Sequence, residues 1–296
     1  SATELKKQLS GKTASVQPSV ENYTSAMGGV CSPKDIETML QLLYLNFTQP
    51  RFNKDDVDNL TKMLLAQLAN AKSNPDVTYG HNPRRQMIST EIVNKFDFEQ
   101  LPGIYAKLYP GANGFVFTFV GNIDPETLKP LVEKYIGSIP AARKPLNYVD
   151  DKVEPVKGEV AEEFTAPMQQ PKVSVVYYFS GKMPYTFKDK VALTFLTQAL
   201  DSRYLISIRE EKGGTYGVQV SGSTEYIPSE TYDMTISFDT NEEMADELRE
   251  IVMKEIEEIA ANGPKSEDIE KNREFMLKSW KNSLEQNAGL MNYLNS

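Results

Sequence analysis

Arg209 and Tyr216 are side chains whose types and spacing could together donate hydrogen bonds to one carbonyl or carboxylate. They lie in Leu205 to Val220, LISIREEKGGTYGVQV. Leu205, Ile206 and Ile208 open a helix that Gly213 and Gly214 should end, because glycine just past the last turn accommodates the left-handed cap. Tyr216, Val218 and Val220 then alternate as a strand does. Arg209 therefore closes a helix, and Tyr216 opens a strand beyond a tight turn. A guanidinium offers a forked pair of donors to a carbonyl or carboxylate, and a phenol on the facing strand can reach the same oxygen. The plain alternative is a surface Arg and a sheet Tyr that merely pack.

Other chemistry is excluded by residue count. His81 is the only histidine and Cys31 the only cysteine. A catalytic zinc site uses three protein ligands, usually two of them histidines, so the expectation is that this chain binds no metal. No Ser-His-Asp or Cys-His arrangement can be built around His81, which reads as an ordinary loop residue. Asp55, Asp56 and Asp58 lack the glycine and distal glutamate of a calcium loop. They fall at a helix N-terminus, where carboxylates are favourable anyway. Gly28-Gly29 has no phosphate-loop sequence around it and reads as a turn.

The elements that would position these residues follow from spacing. Thr3 to Leu9 is helical; Thr13 to Ser19 and Tyr23 to Gly28 are extended. Ser32-Pro33-Lys34-Asp35 starts a helix, with Ser32 as cap and Ile36, Met39, Leu40, Leu43 and Phe47 on one face. Leu42, Tyr44 and Leu45 widen that face, which predicts deep burial. Asn53 caps the next helix. Phe98 to Tyr109 is helical despite Pro102 and Gly103. Phe115 to Val120, FVFTFV, is the strongest strand pattern and is expected inside a covered sheet. Asp124-Pro125 starts another helix.

Prolines and charges then mark a linker, residues 144–154, between a first region, 1–143, and a second, 155–296. Glu159 to Phe164 and Val173 to Phe179 are expected strands. Lys188 to Arg209 is largely helix, with a break near Ser202. Thr231 to Phe238 alternates as a strand with one wetter face. Thr240-Asn241-Glu242-Glu243 reads as a capping box, and the helix after it stops at Asn262-Gly263-Pro264. A last helix begins near Glu267.

The halves echo each other. Thr13 to Ser19, TASVQPS, aligns with Thr215 to Ser221, TYGVQVS, and each is followed by an extended piece, a capped helix, a stop and another helix. This implies an internal repeat and an α+β fold. It would comprise two homologous sandwich units of mainly antiparallel sheet packed with helices. The first would lack its opening strand and long helix, the second its closing strand, so both are truncated by the ends of the chain. The start, Ser1-Ala2-Thr3-Glu4, has no initiator Met and reads as a segment of something longer.

The Arg-turn-Tyr stretch, the repeat, and Gly114 to Pro140, GFVFTFVGNIDPETLKPLVEKYIGSIP, together resemble the insulinase/pitrilysin (inverzincin) zinc metalloproteases, and most nearly the C-terminal half of large bacterial members. The resemblance runs from about Leu5 to Leu294. It implies four homologous units, two per half, closing like a clam shell around a peptide. It also implies that Arg209 and Tyr216 reach across to hold the substrate's backbone. Zinc would belong to the intact protein, on an H-x-x-E-H helix of the N-terminal half. This chain lacks that motif and alone should be inactive. The partners implied are that catalytic half of the same polypeptide and a peptide substrate. A non-catalytic processing-peptidase or respiratory-core-subunit scaffold, or an unrelated peptide-binding module, remain the alternatives. An H-x-x-E-H in the upstream sequence would favour the enzyme over the scaffold.

The net charge of -9 argues against a nucleic-acid partner, which needs a basic face. No apolar run is long enough for a membrane span. A single cysteine precludes an internal disulfide, and the bacterial resemblance points to the periplasm or cell envelope.

Overall fold

The computed structural model describes residues 2–21, 23–71, 88–142, 147–150, 152, 157–163, 165, 170–210 and 217–295, with the backbone alone at 2, 70, 71, 209 and 210. The fold is α+β. The chain divides into two compact units, residues 1–69, 88–149 and 283–296 in the first, and 70–87 and 150–282 in the second.

In the first unit, α1 (Ala2–Gln8) precedes an antiparallel hairpin of β1 (Ala14–Val20) and β2 (Ser25–Cys31), registered Ala14 to Cys31. Gly28-Gly29 is not a turn: both residues lie within β2. Both residues are paired with β1, Gly28 opposite Gln17 and Gly29 opposite Val16. A Cβ on Gly29 would sit 2.9 Å from Met39 Sδ on the helix packed above, α2 (Ile36–Thr48). Leu40 and Leu43 of α2 are buried, but Leu45 is exposed, so the buried face is narrower than the sequence suggests.

Ser32 does not cap α2 through its side chain, because a 3₁₀ turn, Pro33–Asp35, intervenes. Its hydroxyl donates instead to Asp35 Oδ2 at 2.6 Å. Asn53 does cap α3 (Lys54–Ala71), accepting from the Asp56 amide at 3.0 Å. Asp58 there pairs with Lys54.

Beyond α4 (Thr90–Asn94) and α5 (Leu101–Leu108), Phe115 to Val120 has no regular secondary structure and belongs to no hydrogen-bonded ladder. The expected covered strand is absent there, and Val116 is 91% exposed. Phe115 and Phe117 nonetheless pack on Phe47 of α2, so the apolar side chains find a core although the backbone finds no partner strand. Asp124 caps α6 (Pro125–Tyr135), as expected. Among the described residues of Glu159 to Phe164, 159–163, no strand forms; Phe164 lies outside them.

The second unit is built on β3 (Val173–Lys182), β4 (Val218–Glu225) and β5 (Thr231–Thr240), antiparallel in the order β3-β5-β4. Period-two alternation gives the sheet two unlike faces. Val175, Met234, Ile236 and Phe238 enter the core with Leu200, Tyr204 and Ile208, and with Leu248, Val252 and Ile259 of α8 (Ala245–Asn262). The alternate positions carry Ser174, Gln219, Ser221, Thr235 and Ser237 together with Val176 and Tyr178; Gln219 and Ser221 are exposed, whereas Thr231 and Asp233 are buried, so this face is wetter only in part.

The capping box does not form. Thr240 ends β5, and Asn241 accepts from the Met244 amide before α8 starts. Gly263, at φ +73°, ends α8. Next comes α9 (Ser266–Leu284), while α10 (Asn287–Asn295) belongs to the first unit.

Candidate functional site

The segment that carries Arg209 begins as α7 (Phe187–Tyr204), which Thr186 caps by accepting from the Asp189 amide at 3.1 Å. Leu193, Thr197, Ala199, Leu200 and Tyr204 are buried in α7, while Val191 points outward. The break expected near Ser202 occurs at Leu205, and it is a change of helix type rather than an interruption. Leu205–Glu210 is π-helical and continues directly from α7. π-turns inside helices are uncommon and occur often at functional sites.

Three contacts hold the junction. Tyr204, fully buried, donates its hydroxyl to the Val252 carbonyl at 3.0 Å. Ser207 Oγ donates to the Arg203 carbonyl at 3.0 Å. Ile208 is fully buried in the cluster that contains Val252. Leu205 and Ile206 face outward, 43% and 53% exposed, so the segment is pinned by one side while the other stays open.

Arg209 therefore sits in the last turn of a well-anchored helical arm. Its side chain, and Tyr216, Gly213 and Gly214, lie outside the described residues, as does His81. The strand beyond the turn, β4, begins at Val218. It is fastened through β5, with Val218 paired to Phe238 and Val220 to Ile236. Arm and strand thus share one core, and the sequence between them has only seven residues in which to turn. That constraint keeps the end of the arm and the start of the strand on the same unit.

Beside the arm is an open groove of about 450 Å³, with Ser207 at one lip and Glu247, Glu250 and Glu258 of α8 along it. These carboxylates form a solvated acidic helix face. Burial pushes the Tyr204 phenol well above the usual tyrosine range, and the Glu255 carboxylate adds to this. Tyr204 is therefore a neutral donor at any working pH. Spacing in the sequence did not reveal Tyr204 or Arg203 as anchors, because their partners, Val252 and Glu255, are about fifty residues away.

Among the described residues no three His, Cys, Asp or Glu side chains cluster as metal ligands, and the whole sequence offers one histidine and one cysteine. None of the described helices is long and apolar enough to cross a membrane.

Comparison with known proteins gives these geometric features a context. The family model described as "Peptidase M16 inactive domain" matches residues 95–276. An Arabidopsis thaliana protein, "Zinc protease PQQL-like", is 25% identical over 280 residues, covering 86% of this chain and 29% of the relative. The periplasmic protease PqqL from Escherichia coli shares the fold with a TM-score of 0.80 at 17% identity, over 98% of this chain and 33% of that one. A peptidase M16 inactive domain from Pseudomonas fluorescens aligns with a TM-score of 0.68 at 17% identity, over 93% of this chain and 68% of that one. This chain thus spans less than a third of the length of the zinc protease it matches in sequence.

Proposed function

The chain belongs to the peptidase M16 family, in the part described as its inactive domain, and from that membership we propose that it is the zinc-free, substrate-holding half of a zinc-dependent peptidase. The observation that carries the reading is the residue complement. A family built around a zinc protease is represented here by a stretch with one histidine and no metal-ligand cluster among its described residues. Metal chemistry then belongs to the rest of the polypeptide, which is also the implied partner. This chain contributes grip.

In this reading Arg209 and Tyr216 donate hydrogen bonds to a substrate carbonyl, on the side that becomes the oxyanion. The anchored arm of Leu205–Glu210 and the strand that follows the turn support it, because a donor helps a transition state only when it is already in place. The Arg supplies two parallel N–H groups and the Tyr one O–H. The intact protein hydrolyses peptide bonds, this chain alone is inactive, and the periplasm described for the Escherichia coli relative is the compartment proposed for it.

The test is cleavage of a fluorogenic peptide by the intact polypeptide. Arg209→Ala and Tyr216→Phe should each lower kcat by about 10²–10³, the loss typical of one oxyanion donor. Unchanged turnover in both variants overturns the assignment. An intact polypeptide that binds peptide without cleaving it supports a scaffold instead.

A further inference from the structure

Arg203 is a largely buried charge that faces other charges. Its side chain is 10% exposed, at the next-to-last position of α7. Nη1 donates to Glu255 Oε2 of α8 at 3.1 Å. Nε stands 4.0 Å from Asp268 Oδ2 of α9, near enough for an ion pair but without a hydrogen bond. Both carboxylates are themselves about three-quarters buried. One guanidinium is thus met by two carboxylates from two different helices.

Stability alone is a poor explanation for this arrangement. A buried ion pair often contributes no more than a well-packed apolar side chain of similar size, because desolvation offsets the attraction. What it adds is direction: the hydrogen bond to Glu255 of α8, with the Asp268 carboxylate of α9 drawing Nε from 4.0 Å, favours one placement of the end of α7. The residues on either side of that point reinforce this. The Arg203 carbonyl accepts from Ser207 Oγ, inside the π-helical arm, and Tyr204 is bonded to the Val252 carbonyl. Arg209 follows six residues on, so a small rotation at Arg203 becomes a displacement of the Arg209 backbone.

We propose that Arg203, clasped by Glu255 and Asp268, is a positioning residue that sets the π-helical arm so that Arg209 meets the substrate carbonyl. The proposal rests on the reading that Arg209 holds substrate. Arg203 itself touches no substrate; it acts through the arm.

The experiment is a double-mutant cycle in the intact polypeptide, scored by kcat and KM on a fluorogenic peptide together with a melting curve. Arg203→Met should lower kcat/KM about tenfold in the wild-type background and less than about twofold when Arg209 is already Ala, because coupled residues are not additive. Arg203→Lys, which keeps the charge without the fork, should recover part of the loss. Glu255→Gln keeps the side chain's size and serves if Arg203→Met does not fold; it should show the same dependence on Arg209. An equal loss in both backgrounds, or no loss in either, overturns the positioning role and leaves Arg203 structural. If Arg209→Ala is itself silent, the reading of Arg209 has failed and the proposal falls with it. That result is distinguishable, because it appears in the single variant.

Discussion

The Tyr204 hydroxyl donates to the Val252 carbonyl at 3.0 Å, inside a core where both residues are fully buried. A buried tyrosine usually finds such a partner, and here the bond joins the end of α7 to the middle of α8. Tyr204→Phe keeps the ring and removes only the bond. The carbonyl lies within a helix, so the loss should be modest, about 0.5–1.5 kcal/mol. Urea unfolding followed by circular dichroism measures the loss. Tyr204→Ala, which also opens a cavity, should cost more, about 3–5 kcal/mol. If the Phe variant lost as much as the Ala variant, the hydrogen bond would matter more than the packing and this assignment of energies would be wrong.

At Gly222 of β4, side chains of α7 lie close against the sheet. A Cβ there would lie 2.9 Å from Thr197 Cγ2 and 3.1 Å from Leu193 Cγ. The obstructing atoms are side-chain atoms and can yield slightly, so Gly222→Ala should be tolerated better than Gly222→Val. Overpacking of this kind costs about 1–3 kcal/mol, and the Val variant belongs at the upper end. The same urea unfolding measures both. A Val variant as stable as wild type would mean that α7 can shift away from the sheet.

How far the sequence reveals this molecule depends on the range of each interaction. Helix stripes and the caps at Asn53 and Asp124 were legible because their partners lie three or four residues away. The alternation of Thr231 to Phe238 gave the strand and, in part, its wetter face. Phe115 to Val120 shows the limit. Its composition predicts an extended, apolar segment, and Phe47 does pack against it, but pairing depends on a neighbouring strand that local spacing cannot name. Gly28-Gly29 read as a turn because glycine is permissive, whereas the need for Gly29 comes from Met39 above it. Nothing local separates the π-turn at Leu205 from an α-turn. The partners of Arg203, Glu255 and Asp268, lie more than fifty residues away, so no local spacing points to them. Arg209 and Tyr216 came from type, spacing and resemblance, and their roles stand as proposals.

Tyr105 should make the first unit sensitive to alkali. Its hydroxyl donates to the Asn46 carbonyl at 3.0 Å, and its ring meets Phe52 edge-on and Tyr109 at a tilt. Burial, with a smaller effect of Tyr109, pushes the phenol from 10.0 up to about 12. In the unfolded chain the phenol ionises near its ordinary value, whereas the folded chain resists ionisation. The stabilisation is therefore complete below pH 10 and is lost as the pH rises towards 12. Tyr105→Phe should be less stable at neutral pH, yet fall less steeply across that window. Urea midpoints by circular dichroism, compared between wild type and variant, isolate this one residue from the other tyrosines. Parallel curves would show that the phenol is not protected.

Asp35 should give the opposite pH signature at the opposite end of the scale. Its carboxylate accepts from Ser32 Oγ at 2.6 Å and from the Thr13 amide at 2.9 Å, joining the start of β1 to the turn before α2. The hydrogen bond from Ser32, then that from Thr13, holds the carboxyl below its ordinary value of 3.8. A carboxylate lowered on folding contributes stability that is present above its unfolded pKa and lost as the pH falls through the folded one. Asp35→Asn removes the charge, so its midpoint should lie below that of wild type at pH 7. The gap should close as the pH drops through the acid range, because wild type then loses the same charge by protonation. Thermal melts at pH 7, 5 and 3 measure it. A gap that stayed constant with pH would mean that Asp35 acts by shape, through the Ser32 and Thr13 contacts an amide can also make, and not by its charge.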